Sequence, residues 1–118
     1  MRRLLSFLLA LAGLALAQQA TTLARIEADP TAYADQEVVL VGYLWNWYDP
    51  RLPEVCEGLP TPKGNLMRTR SDGSFCDGTR IAHLPPLRHV PPGGRAVQLV
   101  ARVHLGPQGW WLEPLEVR

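Results

Sequence analysis

Three groups of side chains have types and spacings suited to chemistry. Tyr43, Trp45 and Trp47 recur at every second position, so on an extended chain all three rings project from one face. Such a row serves as a stacking platform or is covered by other parts of the chain, because exposed apolar surface is costly. The alternative to a platform puts Tyr43 in the core and the tryptophans beneath the long segment 49–64. Arg68, Arg70, Arg80, Arg95 and Arg102 form the second group. Their guanidinium forks suit phosphate, carboxylate or sulfate, although solvated strand faces also carry arginine. Tyr43, Trp45, Trp47, Arg68, Arg70, Arg80 and Arg102 are the expected ligand-binding residues.

The third group, His83, His89 and His104, contains no HxH, HxxxH or HExxH spacing, so any metal site must be assembled by the fold. A small envelope enzyme or a metal or haem carrier using these histidines is the alternative function. Asp72-Gly73-Ser74-Phe75-Cys76-Asp77-Gly78 has a superficial likeness to a calcium loop. Cys76 stands where an oxygen ligand is required and no glutamate closes the run, so a turn is the simpler reading. No Gly-x-Ser-x-Gly, phosphate loop or marked carboxylate pair is present. The expectation is a protein without catalytic activity and without a cofactor.

The first seventeen residues set the compartment. Arg2 and Arg3 precede an almost wholly apolar run from Leu4 to Leu16, and Ala15-Leu16-Ala17 is a small-x-small motif, the three parts of a cleavable secretory signal. The run is shorter than the roughly 20 residues that span a bilayer. The expected domains are therefore a signal peptide, 1–17, and one small domain, 18–118, located in the periplasm or secreted. No cysteine follows the cleavage motif, so lipid anchoring by that chemistry is not expected, nor is membrane insertion after cleavage. Outside the cytoplasm Cys56 and Cys76, the only cysteines, are expected to form a disulfide. The formal charge of +1 becomes -1 once Arg2 and Arg3 are removed. It divides unevenly, at -5 over 21–57 and +5 over 58–104, an asymmetry that marks an anionic-ligand face or lets the two halves pair.

These residues need elements to position them. Thr22 to Asp29 is expected to be a short helix with Leu23 and Ile26 on one face, ending before Pro30. Glu37 to Tyr48 carries the strongest strand pattern, with Gly42 marking a bulge or a bend. The proline-rich stretch 49–64 reads as a loop held at Cys56. Leu66 to Arg70 and Thr79 to Leu84 are shorter strand candidates separated by turn residues at 71–74 and 77–78. Arg95 to Leu105 alternates, with Val97, Leu99, Ala101, Val103 and Leu105 on one side and Gln98, Arg102 and His104 on the other. Gly106-Pro107-Gln108-Gly109 turns it into a hairpin with Trp110 to Val117. The inventory is one helix and five strands.

Asp29-Pro30-Thr31-Ala32-Tyr33 leading into Glu37-Val38-Val39-Leu40-Val41-Gly42-Tyr43-Leu44 resembles the OB-fold modules of small exported bacterial proteins. The likeness extends to Pro92-Gly93-Gly94-Arg95-Ala96-Val97 and Trp111-Leu112-Glu113-Pro114. It covers most of residues 18–118, but the usual short helix between the third and fourth strands is a proline-rich loop here. The resemblance implies a mainly β, five-stranded Greek-key barrel whose first-strand face stacks bases or sugars. Nucleic acid is the usual cargo of such barrels, yet an exported chain meets little of it. The expected function is non-catalytic binding of an envelope protein or of a glycan or other anionic polymer, with oligonucleotide binding as a further alternative.

Overall fold

The structure is a computed structural model that describes residues 18–46, 53–66, 73–85 and 95–118. Strand β1, Gln19–Ala20, leads into two short helices, α1 (Leu23–Ala28) and α2 (Pro30–Tyr33). Strand β2 (Glu37–Asn46) is followed by a 3-10 turn at Glu54–Cys56, then β3 (Gly73–Cys76), β4 (Ile81–Leu84), β5 (Ala96–Gly106) and β6 (Gly109–Val117). The protein is mainly β, with one sheet in the order β4-β3-β2-β5-β6. These pairings are antiparallel, and β1 adds to β2 in parallel through Gln19 with Val38 and Ala20 with Val39.

Local chemistry explains the helices. The Thr22 hydroxyl caps α1 by accepting from Arg25 N at 3.2 Å, while Leu23 and Ile26, three apart, are fully buried. Asp29 closes α1, and its carboxylate then caps α2, which has Pro30 in its first turn. Asp77, on the far side of the chain, holds the start of α1. One carboxylate oxygen accepts from Leu23 N at 2.6 Å, and the other accepts from Thr79 N, Thr79 Oγ1 and Arg80 N. Those amides would otherwise lack a partner at the helix start and in the turn.

Period-two burial sorts the sheet into two faces. Val38, Leu40 and Leu44 of β2 meet Phe75, Ala82, Leu84, Val97, Leu99, Ala101, Val103, Trp110 and Leu112 in a core that α1 covers with Leu23 and Ile26. Tyr33 packs against it and receives a hydrogen bond from the Thr21 hydroxyl at 2.9 Å. Gly42 continues the inward row without a side chain. A Cβ there would collide with Cys76 O, Phe75 Cζ and Asp77 Cα, so glycine is what lets β3 approach. β2 changes partners at this point: β5 pairs with it from Glu37 to Tyr43, β3 from Tyr43 to Asn46. One long strand thus joins the two halves of the sheet.

The structure corrects two expectations about the strands and adds one irregularity. The described sheet has six strands and does not close into a barrel. β4 and β6 approach within 8 Å between Cα atoms but are not paired. β4 is only four residues long, and the β6 edge at Trp110 is already occupied: Leu66 N donates to Trp110 O at 2.7 Å and Trp110 N to Gly64 O at 2.8 Å. Next, a strand lies at Gly73–Cys76, where turn-forming residues predict a turn. Phe75, paired with Leu44 and Ala82 and fully buried, outweighs the local preference of Gly73 and Ser74. Leu66 lies outside any strand, and the rest of the 66–70 candidate falls outside the described residues. Finally, β6 contains a bulge: Ala101 pairs with Pro114 while Val100 pairs with Glu116. Leu115 is the extra residue. This shift returns Val117 to the core side and accommodates a proline within a strand.

Candidate functional site

The face turned away from the core carries the candidate residues. Across it, register places Tyr43 beside Ala96, Val41 beside Gln98, Val39 beside Val100, and Glu37 beside Arg102. On the β5–β6 side it places Arg102 beside Glu113 and His104 beside Trp111. Directly opposed side chains on antiparallel strands are in reach of one another, and long side chains also reach their diagonal neighbours; here there is one polar pair of each kind. Arg102 Nη2 donates to Glu37 Oε1 at 3.3 Å, and His104 Nε2 lies 2.8 Å from Glu113 Oε1. The His104 imidazole stacks on Trp111, with ring centroids 4.3 Å apart and planes inclined by 13°. Trp111 also lines a cleft of about 320 Å³ at the hairpin tip, together with Leu66, Gly106, Pro107, Gln108 and Gly109.

The predicted binding residues are divided among separate places. Tyr43 is half-buried on the outer face, opposite Cys76, so it is not a core residue. Arg102 shares that face but stands six positions along the β2–β5 ladder, roughly 20 Å away at the usual strand rise. Arg80 lies elsewhere. Its guanidinium holds Glu27 of α1, with Nε to Oε2 at 3.0 Å, and donates to Thr79 O at 2.7 Å. Trp45 falls within β2 opposite Ser74, but its side chain lies outside the described residues, as do Trp47, Arg68 and Arg70. Cys56 and Cys76 form the expected disulfide, both fully buried, with Cα atoms 5.8 Å apart. Because Cys76 is the cross-strand partner of Tyr43, that bond brings the segment around Cys56 to the outer face at its Tyr43 end.

Charged groups on this framework are mostly partnered. The Arg80 guanidinium, and after it the Lys63 amide, hold the Glu27 carboxyl below the ordinary carboxylate value. Arg118 lowers Glu116 in the same way, and Glu116 in turn raises Arg118. Of the histidines, His83 sits on β4 with Nδ1 3.3 Å from the hydroxyl of its cross-strand partner Ser74, and His89 lies outside the described residues. Among the described residues no group of three His, Cys, Asp or Glu side chains is placed to hold a metal. No described helix is long and apolar enough to cross a membrane.

Sequence reasoning names His104 but not its partners Trp111 and Glu113. The signal was present: once Gly106 and Gly109 pair across the turn, counting outward puts Leu105 opposite Trp110 and His104 opposite Trp111. At the hairpin tip the arrangement sets the half-buried Trp111 ring, stacked on His104, beside the Glu113 carboxylate and the Gln108 amide. Comparison of the chain with protein-family models, characterised proteins and solved structures finds no match.

Proposed function

We propose that this chain is an exported, non-catalytic binding module with an OB-like architecture, which recognises a sugar polymer through the Trp111 end of its outer face. The observation that carries the reading is the stack of His104 on Trp111, joined to Glu113 and bordering the hairpin cleft. A pyranose ring presents apolar C–H faces and hydroxyl edges. An indole suits the former, and the Glu113 carboxylate and Gln108 amide suit the latter. The two described arginines of the expected binding set are engaged by Glu27 and Glu37, which favours a neutral glycan over a polyanion. Export is supported by the pattern Arg2-Arg3, Leu4 to Leu16, Ala15-Leu16-Ala17 and by a buried disulfide, a bond that persists in oxidising compartments. The OB-like reading is supported by the long β2, which joins the β3–β4 and β5–β6 hairpins.

The test is a titration of tryptophan fluorescence with cell-wall glycan fragments, on the parent protein and on Trp111→Ala. A saturable change that the substitution abolishes is expected. No response to any glycan, alongside saturable binding to an envelope protein, would transfer the site to a protein partner, for which Val41, 59 % exposed at the centre of the outer face, is the natural contact.

A further inference from the structure

We propose that the mature chain is closed at its N-terminus by cyclisation of Gln18 to pyroglutamate. The inference rests on the reading of residues 1–17 as a cleaved leader, and goes beyond it to the fate of the end so created. Cleavage after Ala17 makes Gln18 the first residue. The ladder between β1 and β2 begins one residue later, with Gln19 opposite Val38. Gln18 is exposed, and its side chain makes no hydrogen bond among the described residues. Its α-amine and its side-chain carboxamide are therefore both free to meet, while Gln19 and Ala20 are fixed in the sheet.

The reaction needs nothing beyond these two groups. The α-amine nitrogen attacks the side-chain carbonyl carbon Cδ, and a new N–Cδ bond forms a five-membered lactam. The carboxamide C–N bond breaks, and the departing nitrogen takes the proton lost by the amine and leaves as ammonia. A free α-amine titrates at about 7.7–8.0, so a nucleophilic fraction is present at neutral pH.

Closure has two consequences for this fold. β1 is a two-residue strand at the extreme end of the mature chain, held by its pairing and by Thr21 N donating to Val39 O at 3.1 Å. Removal of three residues by an aminopeptidase would delete it, and a lactam has no amine for such an enzyme to grip. Continued back by one residue, the parallel register puts Gln18 level with Glu37, the partner of Arg102, so loss of the terminal ammonium also removes a cation on that side of the pair.

The experiment expresses the full chain in a bacterial host that exports it and reads the purified product by intact mass and by stepwise N-terminal degradation. The expected product spans residues 18–118, lighter by one ammonia after allowing for the two hydrogens lost at the Cys56–Cys76 bond, and is blocked to degradation. Exported Gln18→Ala should be open to degradation and trimmed by an aminopeptidase that leaves the parent intact. A product beginning at Gln18 that keeps its amine after prolonged incubation at neutral pH overturns the cyclisation and leaves the leader reading standing. A different N-terminus, or a retained leader, overturns both.

Discussion

At the residue scale the most constrained position is Gly42. Its backbone is in an ordinary extended conformation, so the need for glycine is spatial: a Cβ would enter the space held by Cys76 O, the Phe75 ring and the Asp77 backbone. Two of those three obstacles are backbone, which cannot rotate aside. Gly42→Ala is expected to cost about 2–3 kcal/mol, as overpacking of a rigid interior does, lowering the thermal midpoint of a domain this size by roughly 10–20 °C. Gly106→Ala is the matched control, since its nearest neighbour, Gly109 O, would lie 3.9 Å from the new carbon. Its midpoint should stay close to the parent's, and thermal unfolding followed by circular dichroism compares the two. Equal losses at both sites would mean that intrinsic strand preference, not the approach of β3, explains Gly42. The two described arginines of the expected binding set also differ at this scale. Arg102 and Arg80 have the same chemistry in the sequence, yet one lies across from Glu37 on the sheet and the other ties a helix.

At the element scale, α1 is docked by polar contacts as much as by Leu23 and Ile26. Asp77 accepts from its first amide, Thr79 Oγ1 from Ala24 N, and Glu27 from Arg80 and Lys63 N. Glu27 gives this docking a pH signature. Its carboxyl is held below the ordinary value of 4.5, chiefly by Arg80, so the folded state favours the charged form. Stability from this group is complete above the ordinary value and is lost as the pH falls through the lower folded value. Glu27→Gln should be less stable than the parent at pH 7, with the gap closing below about pH 4.5 in urea titrations between pH 7 and 3. A gap that stays constant to pH 3 would show that the Arg80 contact contributes no titratable stability. The elements themselves were legible to different degrees. β5, β6 and α1 could be read from periodicity because each buries one face and caps or turns with residues suited to it. β3 could not, because Gly73 and Ser74 favour a turn and only the long-range pairing of Phe75 with Leu44 and Ala82 overrides them. β1 has two residues and no period. At the site, the face of Arg102 and His104 could be read from alternation, whereas the ion pairs that engage Arg80 and Arg102 depend on where α1 and β2 come to lie.

At the scale of the whole molecule, one covalent bond fastens the irregular segment to the sheet. Cys56 and Cys76 enclose 20 positions of sequence separation, and on the loop-entropy account such a link stabilises by roughly 3 kcal/mol. That is a sizeable share of the 5–15 kcal/mol typical of a small domain. The tie also has a local role, since it holds the segment in which Pro60 O accepts from Ile81 N at 3.0 Å on β4. The two roles predict different behaviour. If the bond acts mainly through the unfolded chain, the Cys56→Ser/Cys76→Ser variant should lose roughly 3 kcal/mol in urea denaturation, while hydrogen exchange at Ile81 rises only in step with the amides of β2 and β5. If it acts mainly by docking the segment, Ile81 should exchange far faster than those amides with little change in the urea midpoint. The global outcome is the expected one, because the segment keeps other ties when the covalent bond is absent: Lys63 N donates to Glu27, and Gly64 and Leu66 bond to Trp110 on β6. Both cysteines are fully buried, so a mild thiol reductant should reach the bond only through unfolding. Reduction of the parent protein should therefore follow its unfolding rate and accelerate in urea, and rapid reduction under native conditions would show that the segment opens by itself.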